Sequence, residues 1–157
     1  MTEYQFAKLL HIVSSTLLFG TGLGTAFHFW RAHRTGCPIV VVNVARSTVL
    51  ADWLFTTTTV IVQPLTGWWL MHQLQLPWST PWIVMTLILY AVAGLCWLPV
   101  VWLQIRLRDL AANADRTGQP LLEDYHRLFR LWFILGWVAF LAVLVIFVLM
   151  ITRPSYG

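Results

Sequence analysis

Four long apolar stretches separated by short polar connections dominate the pattern of this chain. A helix that crosses a membrane needs about 20 predominantly apolar residues. Four stretches meet this requirement, at about 5–31, 47–71, 81–107 and 126–151. Each connection returns the chain through the bilayer, so neighbouring helices run antiparallel. The pattern predicts an all-α fold, an integral membrane antiparallel four-helix bundle that forms a single transmembrane domain over residues 1–157.

The second apolar stretch carries a row of polar residues. At 100° per residue these positions fall on one helix face; they are Asp52, Thr56, Thr59, Gln63 and Thr66. An ionisable residue within a membrane helix almost always faces a bundle interior, a water path or a bound cofactor. This stripe is therefore predicted to point inward.

Asp52 needs a partner or a proton if it is buried. It lies near the inner end of the second helix, and Arg130 lies about one turn inside the same end of the fourth helix. We expect Asp52 to pair with Arg130, or otherwise with Arg127, Arg46 or His126. This pair acts either as a structural clamp or as a catalytic pair that relays protons or anchors a substrate carboxylate.

Two further helices carry mixed stripes of polar and aromatic residues. The third has Thr86, Tyr90, Gly94, Trp97, Gln104 and Arg108 on one face, and the fourth has His126, Arg130, Phe133, Trp137 and Phe140. An aromatic-lined interior with a few polar groups suits a porphyrin or quinone ring. Hydrogen bonding between helices is the alternative explanation for the threonines and glutamines.

Composition and charge agree with a membrane location. Only 10% of residues are charged, against about 25% in soluble domains. Arginines concentrate in or beside two connections, 32–46 and 109–125, both expected to be loops, with His33 in the first. The positive-inside rule places these loops in the cytoplasm and both termini outside, in the inner membrane of a bacterium. The basic balance reflects this topology and does not indicate nucleic-acid binding.

The histidines are candidate haem ligands, because neutral imidazole is a common axial ligand of haem iron. His11 lies one turn inside the outer end of the first helix and shares its face with Gly22, where a flat ring can approach the backbone. His72 lies at the same outer side as a candidate second metal ligand. His28 and His126, near the inner ends, are candidates for a second site. The alternative for each is a histidine bonded to a neighbouring helix or to interfacial water.

Small residues and cysteines add two constraints. Gly20 and Gly24 form a Gly-x-x-x-Gly pair, which permits close packing within the bundle or in a homodimer. Cys37 and Cys96 are separated in the pattern and do not predict a disulfide or a thiol metal site.

The segment Lys8–Ile12, followed by Leu18-Phe19-Gly20, resembles the first helix of a superfamily of small bacterial membrane proteins. It includes the HemJ-type protoporphyrinogen oxidases and the CopD copper-resistance membrane domain. The chain is most similar to an uncharacterised family of four-helix proteins in that group, over further segments at Ala51-Asp52-Trp53, Gln63–Gly67, Trp97–Val100 and Gly136-Trp137.

What the resemblance implies is haem b at His11, the position of a haem-binding histidine in the HemJ type. The HemJ type also has an important lysine in a later helix, whereas this chain has no lysine besides Lys8. The resulting hypothesis is a haem b-binding membrane protein in electron transfer or in porphyrinogen- or quinol-linked oxidation. The alternatives are an accessory or assembly subunit of a larger membrane complex, and a small transporter.

Overall fold

A computed structural model, which describes residues 1–154, contains four helices long and apolar enough to span a membrane. The second is continuous over Pro38–Gln73 but is interrupted by a π-helical turn. The elements are α1 (Glu3–Thr35), α2 (Pro38–Ala51), the π-helical turn (Asp52–Thr56), α3 (Thr57–Gln73), α4 (Pro81–Thr117) and α5 (Glu123–Thr152). The all-α prediction is confirmed, and residues 1–154 contain no strand. Residues 155–157 of the predicted domain lie outside the described part.

The ends of α1 follow from local sequence. Thr2 forms a capping box with Gln5: its hydroxyl accepts from the Gln5 amide at 3.2 Å, and Gln5 Oε1 accepts from the Thr2 amide at 2.9 Å. Gly36 ends the helix in the left-handed region, at φ 65°, where glycine avoids the steric cost of a Cβ. Pro38 then occupies the first position of α2, which needs no backbone N–H donor.

Both predicted loops are shorter than the sequence pattern indicated. The connection expected at 32–46 consists of Gly36 and Cys37 alone, and the one expected at 109–125 is reduced to residues 118–122. The prediction was wrong because polar and arginine-containing segments, although unsuited to the hydrocarbon core, still form helix beyond it. His33 consequently lies in the last turn of α1 and not in a loop.

A tightly packed core lies at the end of the bundle where α1 gives way to α2, called here the inner end. Helix α2 packs on α1 and α4, and α4 packs along α5. The buried residues of this core come from four helices: Phe29, Ala32, Val41, Val42, Ala45, Val100, Leu103, Leu107, Ala111, Tyr125, Phe129 and Trp132. This packing closes the inner end of the bundle.

The opposite, outer half is held by different contacts. Here α1 lies against α3, and α4 against α5. Tyr90 of α4 donates a hydrogen bond to the carbonyl of Val60 on α3, and Phe19 of α1 stacks on Phe140 of α5 with ring centroids 5.0 Å apart. Between these pairs of helices, side chains do not fill the interior of the bundle.

Candidate functional site

A cavity of about 520 Å³ lies within the bundle, bounded by α1, α3, α4, α5 and the π-helical turn. Its walls are predominantly apolar and aromatic. The aromatic side chains on its walls include Phe19, Tyr90, Trp97, Phe133, Trp137 and Phe140. Such a cavity, with few polar groups at defined positions, is the usual form of a small-molecule site. The stripes predicted on the third and fourth helices supply much of this wall.

Asp52 is the charged residue of the cavity wall and lies at its inner end. Its side chain is buried, and Oδ1 accepts a hydrogen bond from the Thr56 hydroxyl at 2.8 Å. Gln104 on α4 is also buried and lines the same cavity. Asp52 and Thr56 are the first and last residues of the π-helical turn. Turns of this kind are rare and occur frequently at functional sites.

The inward orientation predicted for the polar stripe of the second helix agrees with the structure. Thr56, Thr59 and Thr66 are buried along with Asp52, and Gln63 is half-buried. The threonines also bond carbonyls of their own helix, as Thr59 does with Phe55 at 2.8 Å. The stripe therefore combines local backbone bonding with contacts to other helices.

The predicted ion pair between Asp52 and Arg130 is not formed. Arg130 is exposed on α5, and its Nη2 lies 3.5 Å from Glu123 Oε1. Arg127 and Arg46 are exposed as well. No arginine or histidine of the described chain, residues 1–154, forms a salt bridge with Asp52. The prediction failed because long cationic side chains near a helix end extend to the polar interface, away from the bundle interior.

Three side chains on the cavity wall keep a buried polar atom without a hydrogen-bond partner among residues 1–154. These atoms are Gln104 Oε1, Trp97 Nε1 and Trp132 Nε1. A buried polar atom left unpaired costs about 1–3 kcal/mol, so each such atom requires an explanation. Because their residues line the cavity, a polar group bound there would lie among donors and acceptors that lack partners within the protein.

Trp132 was missed by the sequence pattern. Its neighbour Phe133 belongs to the predicted stripe of the fourth helix, and Trp132 is about 100° away from it. Trp132 is nevertheless buried and lines the cavity, because α5 faces both the inner core and the cavity at this level. No periodicity in the sequence distinguishes it from the lipid-facing tryptophans.

His11 lies at the interface of α1 and α3. Its Nδ1 is 2.7 Å from the Thr66 hydroxyl, which donates its own proton to the Val62 carbonyl at 2.7 Å. Thr66 therefore accepts from His11, which assigns the proton to Nδ1 and leaves a lone pair on Nε2. Beside it, Gln63 Nε2 donates to the His11 carbonyl at 2.8 Å and to Ser14 Oγ at 2.6 Å. These four side chains, His11, Ser14, Gln63 and Thr66, are called the α1–α3 polar contact.

The other candidate histidines have surroundings different from those of His11. His72 is exposed at the outer end beside Trp68, at a ring distance of 6.2 Å, and His28 is exposed and packs on Phe27. Within residues 1–154 no group of three or more His, Cys, Asp or Glu residues is placed to hold a metal ion. The part of the chain that the structure describes contributes no histidine to the cavity wall.

The inner-end histidine pair differs from the expected one. His126 lies beside His33, with ring centroids 5.5 Å apart, and not beside the exposed His28. His33 stacks on Phe129 at 3.7 Å with an interplanar angle of 7°. These contacts join the last turn of α1 to the first turns of α5.

The glycines of α1 face different surroundings. Gly22 lines the cavity, and an added Cβ there would meet no atom within 4 Å. His11, predicted to share its face, is not among the cavity-lining residues of the described chain. Gly20 and Gly24 likewise have open space where a Cβ would stand, within this single chain. The Gly-x-x-x-Gly pair is therefore not used for close packing inside the bundle.

Comparison with known protein families gives a match over residues 5–154, nearly the whole chain, to "Predicted integral membrane protein (DUF2269)". The chain belongs to this family. The match supports an integral membrane protein of an uncharacterised family, as the sequence predicted, and carries no relation to the HemJ or CopD types. No curated protein matches the chain, and no solved structure does. Cofactors, substrates and the relation to the HemJ and CopD types are therefore matters for proposal.

Proposed function

We propose that this protein binds a flat, membrane-soluble molecule of the quinone or quinol class in its central cavity, with Asp52 as the proton-exchanging group. The observation that carries this proposal is the buried carboxyl of Asp52 at the inner end of an aromatic cavity, beside unpartnered polar atoms of Gln104 and Trp97. A buried carboxyl without a cationic partner is suited to take up or release a proton.

The polar atoms match the chemistry of a quinone ring. The indole N–H groups of Trp97 and Trp132 are donors only, and they suit the carbonyl oxygens of a quinone. Asp52 and Gln104 Oε1 can accept from the hydroxyl groups of a quinol. The aromatic walls would pack on the faces of the ring. The oxygens of the ring thus have both donors and acceptors of matching character among the residues of the wall.

A porphyrin fits the cavity less well. Haem iron needs an axial ligand such as imidazole, and the cavity wall, over the chain as described to residue 154, has no histidine. The quinone class is therefore the better match for the cavity itself.

Binding to the purified protein tests the proposal. A short-chain benzoquinone titrated into the detergent-solubilised protein should bind saturably, measured by isothermal calorimetry. Asp52→Asn should weaken binding of the reduced form at least about tenfold, since a hydrogen bond to a charged group contributes about 1.5–3 kcal/mol. The matched control is Asp109→Asn, an exposed carboxylate paired with Arg108, which should bind as the unmodified protein does. Absence of saturable binding by the unmodified protein would refute the proposal.

Haem b at His11 is a second candidate, favoured by a specific contact. Metal-ligating histidines usually donate their other ring N–H to an oxygen acceptor, and His11 has this arrangement through Thr66. His11 would hold the haem iron through Nε2, since its Nδ1–H is bonded to Thr66. A haem bound there would supply one-electron transfer. A reduced-minus-oxidised absorption spectrum tests this: a b-type spectrum lost in His11→Ala and kept in His28→Ala supports it.

We also propose the orientation. In this orientation the inner end is cytoplasmic and both termini are outside, in the inner membrane of a bacterium, and the exposed arginines of the inner end support it through the positive-inside rule. Asp52 then lies in the cytoplasmic half of the membrane.

A further inference from the structure

We infer that the ligand enters the cavity sideways from the lipid, through an opening between α1 and α5, and that its apolar chain stays in this opening while bound. This inference rests on the proposed quinone site and narrows the ligand to one that carries a long hydrocarbon chain. A water-soluble ring without such a chain would make only part of the available contacts.

Aromatic contacts join α1 to α5 at two separate levels. Toward the outer end, Phe19 packs on Phe140 and Phe147, at ring distances of 5.0 and 5.4 Å. Toward the inner end, Phe29 packs on Trp132 and Phe129, at 4.9 and 5.7 Å. On α1 the two levels are ten residues apart, which corresponds to roughly 15 Å at 1.5 Å per residue.

Between these levels the two helices present cavity-lining residues that are also exposed on the outside of the bundle. Gly22 and Leu23 are exposed on α1, and Phe133 and Trp137 on α5. The same stretch includes Ala26 and Gly136. We call this the α1–α5 opening, defined by Gly22, Leu23, Ala26, Phe133, Gly136 and Trp137. It connects the cavity with the outer surface of the bundle.

Two glycines keep the opening free. A Cβ added at Gly22 or at Gly136 would have no atom within 4 Å. Both residues line the cavity, Gly22 from α1 and Gly136 from α5. The opening lies near the middle of α5, which spans Glu123–Thr152, and therefore at the depth of the hydrocarbon core.

The distribution of polarity orients the ligand. Asp52 and Gln104 lie at the inner end of the cavity, whereas the residues of the opening are apolar and face lipid. A headgroup bound at Asp52 would leave an attached hydrocarbon chain in the opening, where apolar contacts replace lipid contacts at no cost in polar desolvation. No charged residue of the described range 1–154 belongs to the opening.

The test compares two quinones that share one ring, the first without a side chain and the second with a long isoprenoid chain. Binding is measured with the full-length protein in lipid nanodiscs. Gly22→Leu and Gly136→Leu add bulk to the opening from its two sides. Gly20→Leu is the matched control, because it lies on the same helix, has equal space for a Cβ and does not line the cavity.

For the unmodified protein and Gly20→Leu, the long-chain quinone should bind more tightly than the chainless one. In Gly22→Leu and Gly136→Leu, we expect the affinity for the long-chain quinone to fall by about tenfold and the affinity for the chainless ring to change less than about threefold. Retained ring binding also shows that each variant is folded.

Equal effects of the opening variants on both quinones, or no effect on either, would overturn the inference and leave the proposed quinone site intact. If the unmodified protein binds neither quinone, the proposed function itself fails, and this inference fails with it. If the unmodified protein binds the ring equally well with and without the chain, the inference is overturned as well, because the chain then makes no contacts in the opening.

Discussion

The imidazole of His11 on α1 and the hydroxyl of Thr66 on α3 lie 2.7 Å apart, although the two residues are 55 positions apart in sequence. This contact joins the outer halves of two membrane helices. Gln63 reinforces this junction through Ser14 and the His11 carbonyl. The α1–α3 polar contact therefore links the two helices through several hydrogen bonds. This link holds α1 in place along one side of the cavity.

Thr66→Val should destabilise the protein by about 0.6–1.7 kcal/mol, the range measured for hydrogen bonds between membrane helices. The valine keeps the shape of the side chain and removes the acceptor of the His11 N–H. Reversible unfolding in mixed micelles measures the change. The control is Thr58→Val, an exposed hydroxyl on the same helix that bonds only the Leu54 carbonyl. Equal losses in both variants would show that the contact with His11 contributes nothing.

Phe29→Ala should be far more damaging than Phe27→Ala. Phe29 is fully buried in the inner core, whereas Phe27 is 55% exposed. Removing a buried phenylalanine leaves a cavity that costs about 3–5 kcal/mol, and an exposed one in lipid should cost less than about 1 kcal/mol. The same unfolding measurement, with yield of folded protein after extraction, distinguishes the two. A similar cost for both would contradict a packed core at the inner end.

Trp97→Phe should leave stability nearly unchanged and weaken quinone binding. The substitution removes an indole N–H that has no partner within residues 1–154 and keeps an aromatic ring in the wall. Loss of one neutral hydrogen bond to the ligand, about 1 kcal/mol, corresponds to roughly fivefold weaker binding. Trp102→Phe, an exposed position on the same helix, is the control. A variant that is unfolded, or that binds unchanged, would remove Trp97 from the proposed site.

Cys37 provides a test of orientation. It is a half-buried residue in the two-residue connection between α1 and α2. With Cys96 replaced by serine, a membrane-impermeant maleimide should label Cys37 only after intact cells are permeabilised, because the inner end is expected in the cytoplasm. A cysteine introduced at Thr2, near the opposite end of α1, should be labelled from outside. The reverse pattern would invert the proposed topology.

The helical repeat of the sequence predicted the membrane helices and the residues that share one helix face. The apolar stretches became the four membrane helices, and the stripes through Tyr90, Trp97 and Gln104 became a cavity wall. The inward position of Asp52 followed from the cost of exposing a carboxyl to lipid. These predictions require only the 3.6-residue repeat of the helix and the apolar character of the surrounding lipid.

Contacts between helices could not be predicted in the same way. The pairing of Asp52 with Arg130 depended on the conformation of a long side chain, because the Arg130 guanidinium extends to the interface beside Glu123. The position of His33 depended on where α1 ends, and Gly36 ends it later than the polarity change suggested. The π-helical turn at Asp52 leaves no mark in composition, because it concerns how one extra residue is accommodated in an otherwise regular helix.

That turn has a consequence for the architecture of the second membrane helix. Fitting one additional residue into a helical turn offsets the faces before and after it by about 100°. The segment before the turn packs mainly on α4 and also on α1, within the inner core, whereas the segment after it packs on α1. One long helix thus changes its main neighbour from α4 to α1 along its length, and the residue at which the change begins carries the carboxyl group of the cavity wall.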